Sequence, residues 1–192
     1  MIKIGLVGED PNDTTSVKLL LLKKFGKSVQ FQTLLKNAYG YQLDNPKAIR
    51  IMQFQFKDAK CKFIIYIRDL DGFATEKQKV AEKQNWFYQL DKAANNKGIL
   101  LLNIWELEAL ILADIETFNR LYKSSIRFKG DPTKQKEPKE FLAYNTRNNQ
   151  KKYRESDCPE IFEKLSLETV SKNCPYFKEF VSAFDKKLKS NN

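Results

Sequence analysis

Histidine is absent from all 192 residues. Its absence excludes Ser-His-Asp and Cys-His nucleophilic sites, histidine-metal nucleases and His-ligated zinc hydrolases. Any catalysis must rest on carboxylates, lysine, arginine, tyrosine, hydroxyls or a metal held by oxygen. Cysteine is scarce: Cys61, Cys158 and Cys174 lie far apart with no CxxC pair. That spacing indicates neither a zinc cage nor an even-numbered disulfide framework, and it reads as buried or incidental thiols. Long apolar runs are also missing. The stretch in MIKIGLVGED is far shorter than a signal-peptide core, and the others are too brief to span a bilayer. A cytoplasmic protein with no membrane contact is the expectation. Neither an internal repeat nor a low-complexity tract is visible.

What the chain does have is positive charge. Its 34 Lys+Arg against 24 Asp+Glu give a formal charge of +10, which favours anionic partners such as nucleic acid. Most of the excess is concentrated between Asn119 and Arg154, where Arg120, Lys123, Arg127, Lys129, Arg147, Lys151, Lys152 and Arg154 are among the basic residues. Phe128, Phe141, Tyr144 and Tyr153 are interleaved with them. Arg and Lys can neutralise phosphates while aromatics stack on bases, although charge runs are more often simply solvated. A hydrophobic content of 42% in a chain of this length supports one sizeable core and one domain.

Apolar periodicity orders the elements. IKIGLV (residues 2–7) reads as a strand, and Thr14 to Phe25 as a helix with Asp13 or Thr14 as N-cap. SVQFQTLL reads as a second strand. PKAIRIMQFQFKDA reads as a helix opened by Pro46, although its Phe/Gln alternation also fits a strand. KFIIYI (62–67) is the strongest strand signal, a continuous β-branched and aromatic run suited to an interior strand. A polar helix over about 75–94 leads through NNKG into a buried strand at 98–103. The resulting βα alternation predicts an α/β fold with a mostly parallel sheet flanked by helices, in which ligands gather beyond the carboxyl ends of the strands. WELEALILADIETFNRLY reads as one helix. The stripe Phe177, Phe180, Val181, Phe184 and Leu188 has helical spacing and reads as packing.

Both acidic groups fall on the carboxyl edge: Glu9 and Asp13 after the first strand, Asp69 and Asp71 after KFIIYI. Carboxylates gathered there repel one another unless a cation neutralises them. Oxygen ligands without His or Cys select Mg²⁺ or Mn²⁺. Such an ion activates water and stabilises charge on a phosphate, which suits a nuclease that has no histidine.

A glutamate after the first strand, as in GLVGEDPND, and a DxD after a later hydrophobic strand, as in FIIYIRDLDG, resemble the TOPRIM domain. Glu9 with Asp13 looks like the E-x-x-x-D variant of TOPRIM nucleases of the OLD (overcoming lysogenization defect) type. IWELEALILAD, the later GDP and EPKEFL, and the PYFKEF tail look like a family of small bacterial TOPRIM-like proteins. The resemblance implies a TOPRIM-like (Rossmann-like) core over residues 1–118 with a basic, mainly helical extension over 119–192 packed on it. It implies metal or structural roles for Glu108 and Asp114, with Glu106 as a neighbour. The usual TOPRIM Glu-Gly pair is replaced here by Glu9-Asp10, with Gly8 in front. Proteins of this kind resemble parts of anti-phage defence systems that pair a nuclease with an ATPase, so an ATPase partner is implied.

The reading is therefore an Mg²⁺- or Mn²⁺-dependent endonuclease or nickase acting on nucleic acid, with DNA as the expected substrate. Glu9 ligates metal or acts as general base, Asp13, Asp69 and Asp71 ligate metal, and the 119–154 cations position the backbone. Two alternatives stand beside it. DLDG after FIIYI also fits the first motif of haloacid-dehalogenase-like phosphatases, with Asp69 as nucleophile and Asp71 as acid/base, but Phe73 stands where that motif usually has Thr or Val. The other is a non-catalytic nucleic-acid- or partner-binding module. A DxD can be an ordinary βα turn, and Glu106 and Glu108 can simply favour a helix dipole. Gly26-Lys27-Ser28 is not a P-loop, because Leu21 stands where the first glycine must be and the motif precedes a strand.

Overall fold

The computed structural model describes residues 1–36 and 40–191. Four strands, β1 (Ile2–Val7), β2 (Val29–Thr33), β3 (Phe63–Asp69) and β4 (Gly98–Asn103), form an all-parallel sheet in the order β2-β1-β3-β4. The helices α1 (Pro11–Phe25), α2 (Pro46–Ala59) and α3 (Lys77–Ala93) connect successive strands. The chain is thus α/β with a Rossmann-like sheet. The order reverses between β1 and β3, and this is the switch point at which ligands of open parallel sheets bind.

Strand periodicity decides which side chain faces which layer. In β3, Phe63, Ile65 and Ile67 join α1 and the C-terminal helices in one core, while Ile64 and Tyr66 join α2 and α3 in the other. Both central strands are almost wholly buried, as the continuous apolar run of β3 requires. PKAIRIMQFQFKDA is a helix, opened by Pro46 with Asn45 as N-cap, so the strand alternative fails. Its buried Ala48, Met52, Phe56 and Ala59 follow the helical period.

The segment from Trp105 to Tyr122 is not one helix. It forms α4 (Ala109–Ala113) and α5 (Ile115–Tyr122), broken at Asp114. The break is satisfied from elsewhere: Asp114 Oδ2 accepts the Ser166 N–H at 2.8 Å, and Asn173 Nδ2 donates to the Ala113 carbonyl at 2.8 Å. Asp114 therefore has a structural role at the start of a later helix.

The C-terminal region continues through α6 (Pro138–Thr146), α7 (Cys158–Lys164), α8 (Leu167–Asn173) and α9 (Pro175–Lys189). It belongs to the same core as β1, β3 and α1. The aromatic stripe of α9 is the packing face its spacing predicts. Phe184 meets Phe25 at 4.8 Å, Phe63 at 5.8 Å and Phe31 at 6.3 Å between ring centroids. Removing such a ring costs about 3–5 kcal/mol. Among the described residues, no helix is long and apolar enough to cross a membrane.

Candidate metal centre and its acidic edge

The site is assembled at the carboxyl ends of β1, β3 and β4. Asp10, not Asp13 or Thr14, is the N-cap of α1: its Oδ1 accepts the Asn12 N–H at 2.7 Å, and Pro11 occupies the first helical position. The acidic residue beside Glu9 therefore fixes the turn, and Asp13, within the first turn, is released from capping.

Asp69 closes β3 in register with Asn103 at the end of β4, and Asn103 Nδ2 donates to Asp69 Oδ1 at 2.9 Å. Asp69 lies on the face that carries Ile67, the side of α1 and α4. There the negative charges of Asp13, from α1, and Glu108, which immediately precedes α4, act on it.

The electrostatics of this group are those of carboxyls without a counter-ion. Burial pushes Asp13 up to about 8, reinforced by the negative charges of Glu108, Asp10 and Glu9. Asp69 is raised well above the ordinary carboxylate range, first by burial and then by Asp13, against the opposing hydrogen bond from Asn103. Burial raises Glu108 to about 6, while the hydrogen bond from Tyr153 pulls the other way.

Glu9 occupies the rim. Its Oε1 lies 2.5 Å from Arg68 Nε and 3.7 Å from Lys83 Nζ. The Arg68 contact is an ion pair without hydrogen-bond alignment, since neither atom has a hydrogen-bond partner. Arg68, the residue before Asp69, points to the opposite face of the sheet. Its guanidinium donates to both carboxylate oxygens of Asp44 at 2.9 and 3.1 Å and stacks 4.5 Å over Trp86.

The structure does not bring Asp71 into the group. Asp71 has φ +55° and a largely exposed side chain whose Oδ2 pairs with Lys83 at 3.2 Å. The left-handed turn after β3 rotates it to the rim, where Lys83 bridges it to Glu9. Glu106 is also outside the group: its Oε2 accepts the Lys139 backbone N–H at 3.1 Å.

Three neighbours of the acidic edge carry only weak signals in the sequence. A lone cation in an apolar interior strand marked Arg68. Asn103 had only its strand-end position to mark it. Tyr153, one of the aromatics interleaved with the basic residues, is not a surface ring: it is buried and its hydroxyl donates to Glu108 Oε1 at 2.6 Å. Phe128 and Phe141 pack on each other at 6.1 Å, and only Tyr144 of the interleaved set is well exposed, with the Arg147 guanidinium 3.6 Å over its ring. Arg120, Lys123, Arg127, Lys129, Arg147, Lys152 and Arg154 are exposed, whereas Lys151 is engaged by Glu160 at 3.0 Å.

The donor chemistry fits a hard divalent ion. Asn103 Oδ1, beside Asp69, is a buried acceptor without a hydrogen-bond partner. Among the described residues, no three His, Cys, Asp or Glu side chains stand as a ready-made cage. Mg²⁺ does not require one, because it keeps several waters and commonly takes only one or two carboxylates.

Residues 9–185 match the family described as Domain of unknown function (DUF4276). The chain belongs to this family. The family span contains Glu9, Asp13, Asp69, Glu108 and Tyr153, so the acidic edge and the helices that close it lie within a single family unit. No curated protein and no solved structure matches the chain.

Proposed function

We propose that the chain is a divalent-cation-dependent phosphodiesterase of the TOPRIM nuclease type, acting on nucleic acid, with DNA as the expected substrate. The observation that carries this reading is the pairing of Asp13 with Asp69 at the switch point. The strongest charges acting on both are other carboxylates. Asp13 and Asp69 would hold Mg²⁺ or Mn²⁺, with Glu108 and the free Asn103 oxygen adjoining. A bound divalent ion supplies charge for the phosphate oxygens and lowers the pKa of an attacking water.

The protein's own groups supply the rest. Arg68 and Lys83 hold the Glu9 carboxylate at the rim, where it can orient water or accept its proton. Lys83 also brings positive charge to the place where a phosphate would arrive. The exposed cations of residues 120–154 extend the electrostatic surface available to a polyanion. A haloacid-dehalogenase-like reaction would need Asp71 beside Asp69 as acid/base, and the engagement of Asp71 by Lys83 counts against it.

The test is supercoiled plasmid incubated with Mn²⁺ or Mg²⁺, beside a generic phosphomonoester. Nicking that requires the metal and is abolished in Asp13→Asn and Asp69→Asn supports the reading. Monoester turnover without nicking, lost in Asp69→Asn but retained in Asp13→Asn, would replace it with a phosphatase. Salt-sensitive DNA binding with no turnover would leave a binding module.

A further inference from the structure

Beyond the acidic pair, the loops that follow β3 and β4 are zipped together past the ends of the strands. Leu70 N donates to the Asn103 carbonyl at 2.9 Å, Asp71 N to the Trp105 carbonyl at 3.0 Å, and Trp105 N to the Gly72 carbonyl at 3.0 Å. Asp71 and Trp105 both adopt positive φ, +55° and +61°. That conformation is unusual for a bulky aromatic residue and is concentrated at sites where function holds it. A Cβ at Gly72 would fall 2.3 Å from Glu76 Oε1, so the Glu76 side chain packs directly against the Gly72 backbone. The same Glu76 oxygen accepts the Phe73 N–H at 2.7 Å.

This double loop carries two aromatic rings, Phe73 at the surface and Trp105 partly exposed with its indole nitrogen buried. Phe73 and Trp105 meet edge to face, with centroids 5.1 Å apart at 90°. Neither belongs to either hydrophobic core, and Phe73 is 36% exposed. Three lysines lie beside this loop pair, each also paired with a carboxylate: Lys79 with Glu76, Lys83 with Asp71 and Lys136 with Glu137. Lys136 Nζ stands 5.9 Å over the Trp105 ring, Lys79 Nζ donates to the Asp71 carbonyl at 2.8 Å, and Lys83 lies one helical turn further along α3. Phe73 lies four residues after Asp69, and Trp105 two residues after Asn103.

We propose that Phe73 and Trp105 form a platform on which an unpaired base of a nucleic-acid strand stacks, with Lys79, Lys83 and Lys136 receiving the phosphates on either side. Aromatic rings interleaved with lysines match the alternation of base and phosphate in a single strand. An apolar protein segment would gain from the rings but not from the cations. The bases of an intact duplex present no free faces, so the preferred substrate is single-stranded, or a junction with unpaired bases. This assignment rests on the nucleic-acid reading of the neighbouring acidic edge and specifies its substrate class.

The experiment measures binding without turnover. Full-length protein in EDTA is titrated with a fluorescein-labelled oligothymidylate, with the same strand annealed to its complement, and with thymidine monophosphate, at fixed salt. Wild type is expected to prefer the single strand, and Phe73→Ala and Trp105→Ala are each expected to weaken that binding about ten-fold, leaving duplex affinity within about two-fold. Trp105→Phe, which keeps a stacking ring, retains most of the affinity but loses the quenching of intrinsic tryptophan fluorescence. If Trp105→Ala does not fold, Phe73→Ala on the exposed side decides alone. Equal affinity of wild type for single strand and duplex, or unchanged single-strand binding in folded variants, overturns the platform. Thymidine monophosphate binding as tightly as the oligonucleotide overturns the strand in favour of a free nucleotide. Failure of the acidic-edge reading looks different: single-strand binding persists and depends on the rings, but no metal restores cleavage.

Discussion

Tyr153 donates its hydroxyl hydrogen to Glu108 across 2.6 Å of buried space, joining the C-terminal helical region to the acidic edge. Cys158 lies against the same pair, with Sγ 3.3 Å from the Tyr153 oxygen and 3.8 Å from Glu108 Oε1. The basic extension thus does more than enlarge the surface. It supplies the side chain that orients a carboxylate next to Asp13 and Asp69.

Removing only that hydroxyl tests the link. Tyr153→Phe keeps the ring among Phe118 and Tyr122 but leaves the Glu108 oxygen short of a donor. A loss of about 1–3 kcal/mol in urea unfolding is expected. The hydrogen bond from Tyr153 lowers the Glu108 pKa, so its loss raises that pKa and weakens Mn²⁺ binding at neutral pH in a calorimetric titration. An unchanged unfolding midpoint and an unchanged Mn²⁺ isotherm would together reject the role.

The pH dependence of the metal-free protein follows from Asp13. Its folded pKa, about 8, lies above the ordinary value of 3.8, so the folded state holds the proton more tightly than the unfolded chain. The associated stability is complete below about pH 4 and is lost as pH rises through about 8. Glu108, raised to about 6, acts in the same direction. In EDTA, the melting temperature should therefore fall between pH 5 and about 8.5, and Asp13→Asn should flatten that slope. Mn²⁺ at the alkaline end should restore several degrees in wild type and little in Asp13→Asn. A melting temperature that rises over this window would contradict the assignment.

Arg68 is a buried cation that engages Glu9, Asp44 and Trp86 at once. Arg68→Ala removes one partner each from Glu9, Asp44 and Trp86, while Lys83 stays beside Glu9, so a loss of about 1–3 kcal/mol in chemical unfolding is expected. Arg68→Lys keeps the charge but cannot reproduce the two-pronged contact with Asp44, and it should recover only part of that loss.

The C-terminal helices should prove inseparable from the sheet. Phe184→Ala is expected to cost about 3–5 kcal/mol, and a chain ending at residue 118 should fail to give a cooperative melting transition, because it lacks the layer that covers Phe25 and Phe63. A sharp transition for the truncated chain would restore an independent core.

Arg120, Lys123 and Arg127 line one shallow surface cleft. If they contact phosphates, replacing all three with alanine should flatten the salt dependence of DNA binding by about 0.9 in log–log slope per lost contact. Unaltered slope would make them solvated surface only.

The sequence by itself determined the sheet and its acidic edge. Continuous β-branched and aromatic runs bounded by turn residues favour buried strands, and parallel βα units send every strand end to one side. That local chemistry was enough to place Glu9, Asp13, Asp69 and the stripe of α9. It also excluded histidine chemistry outright. Only the tertiary structure decided which carboxylates meet. Asp10 and Asp13 competed for one cap, and the geometry of Pro11 gave it to Asp10. A left-handed turn sent Asp71 to Lys83 while strand alternation sent Asp69 to Asp13. Tyr153 reached Glu108 across 45 residues of chain. Such partnerships depend on packing between segments distant in sequence, and periodicity within one segment carries no trace of them.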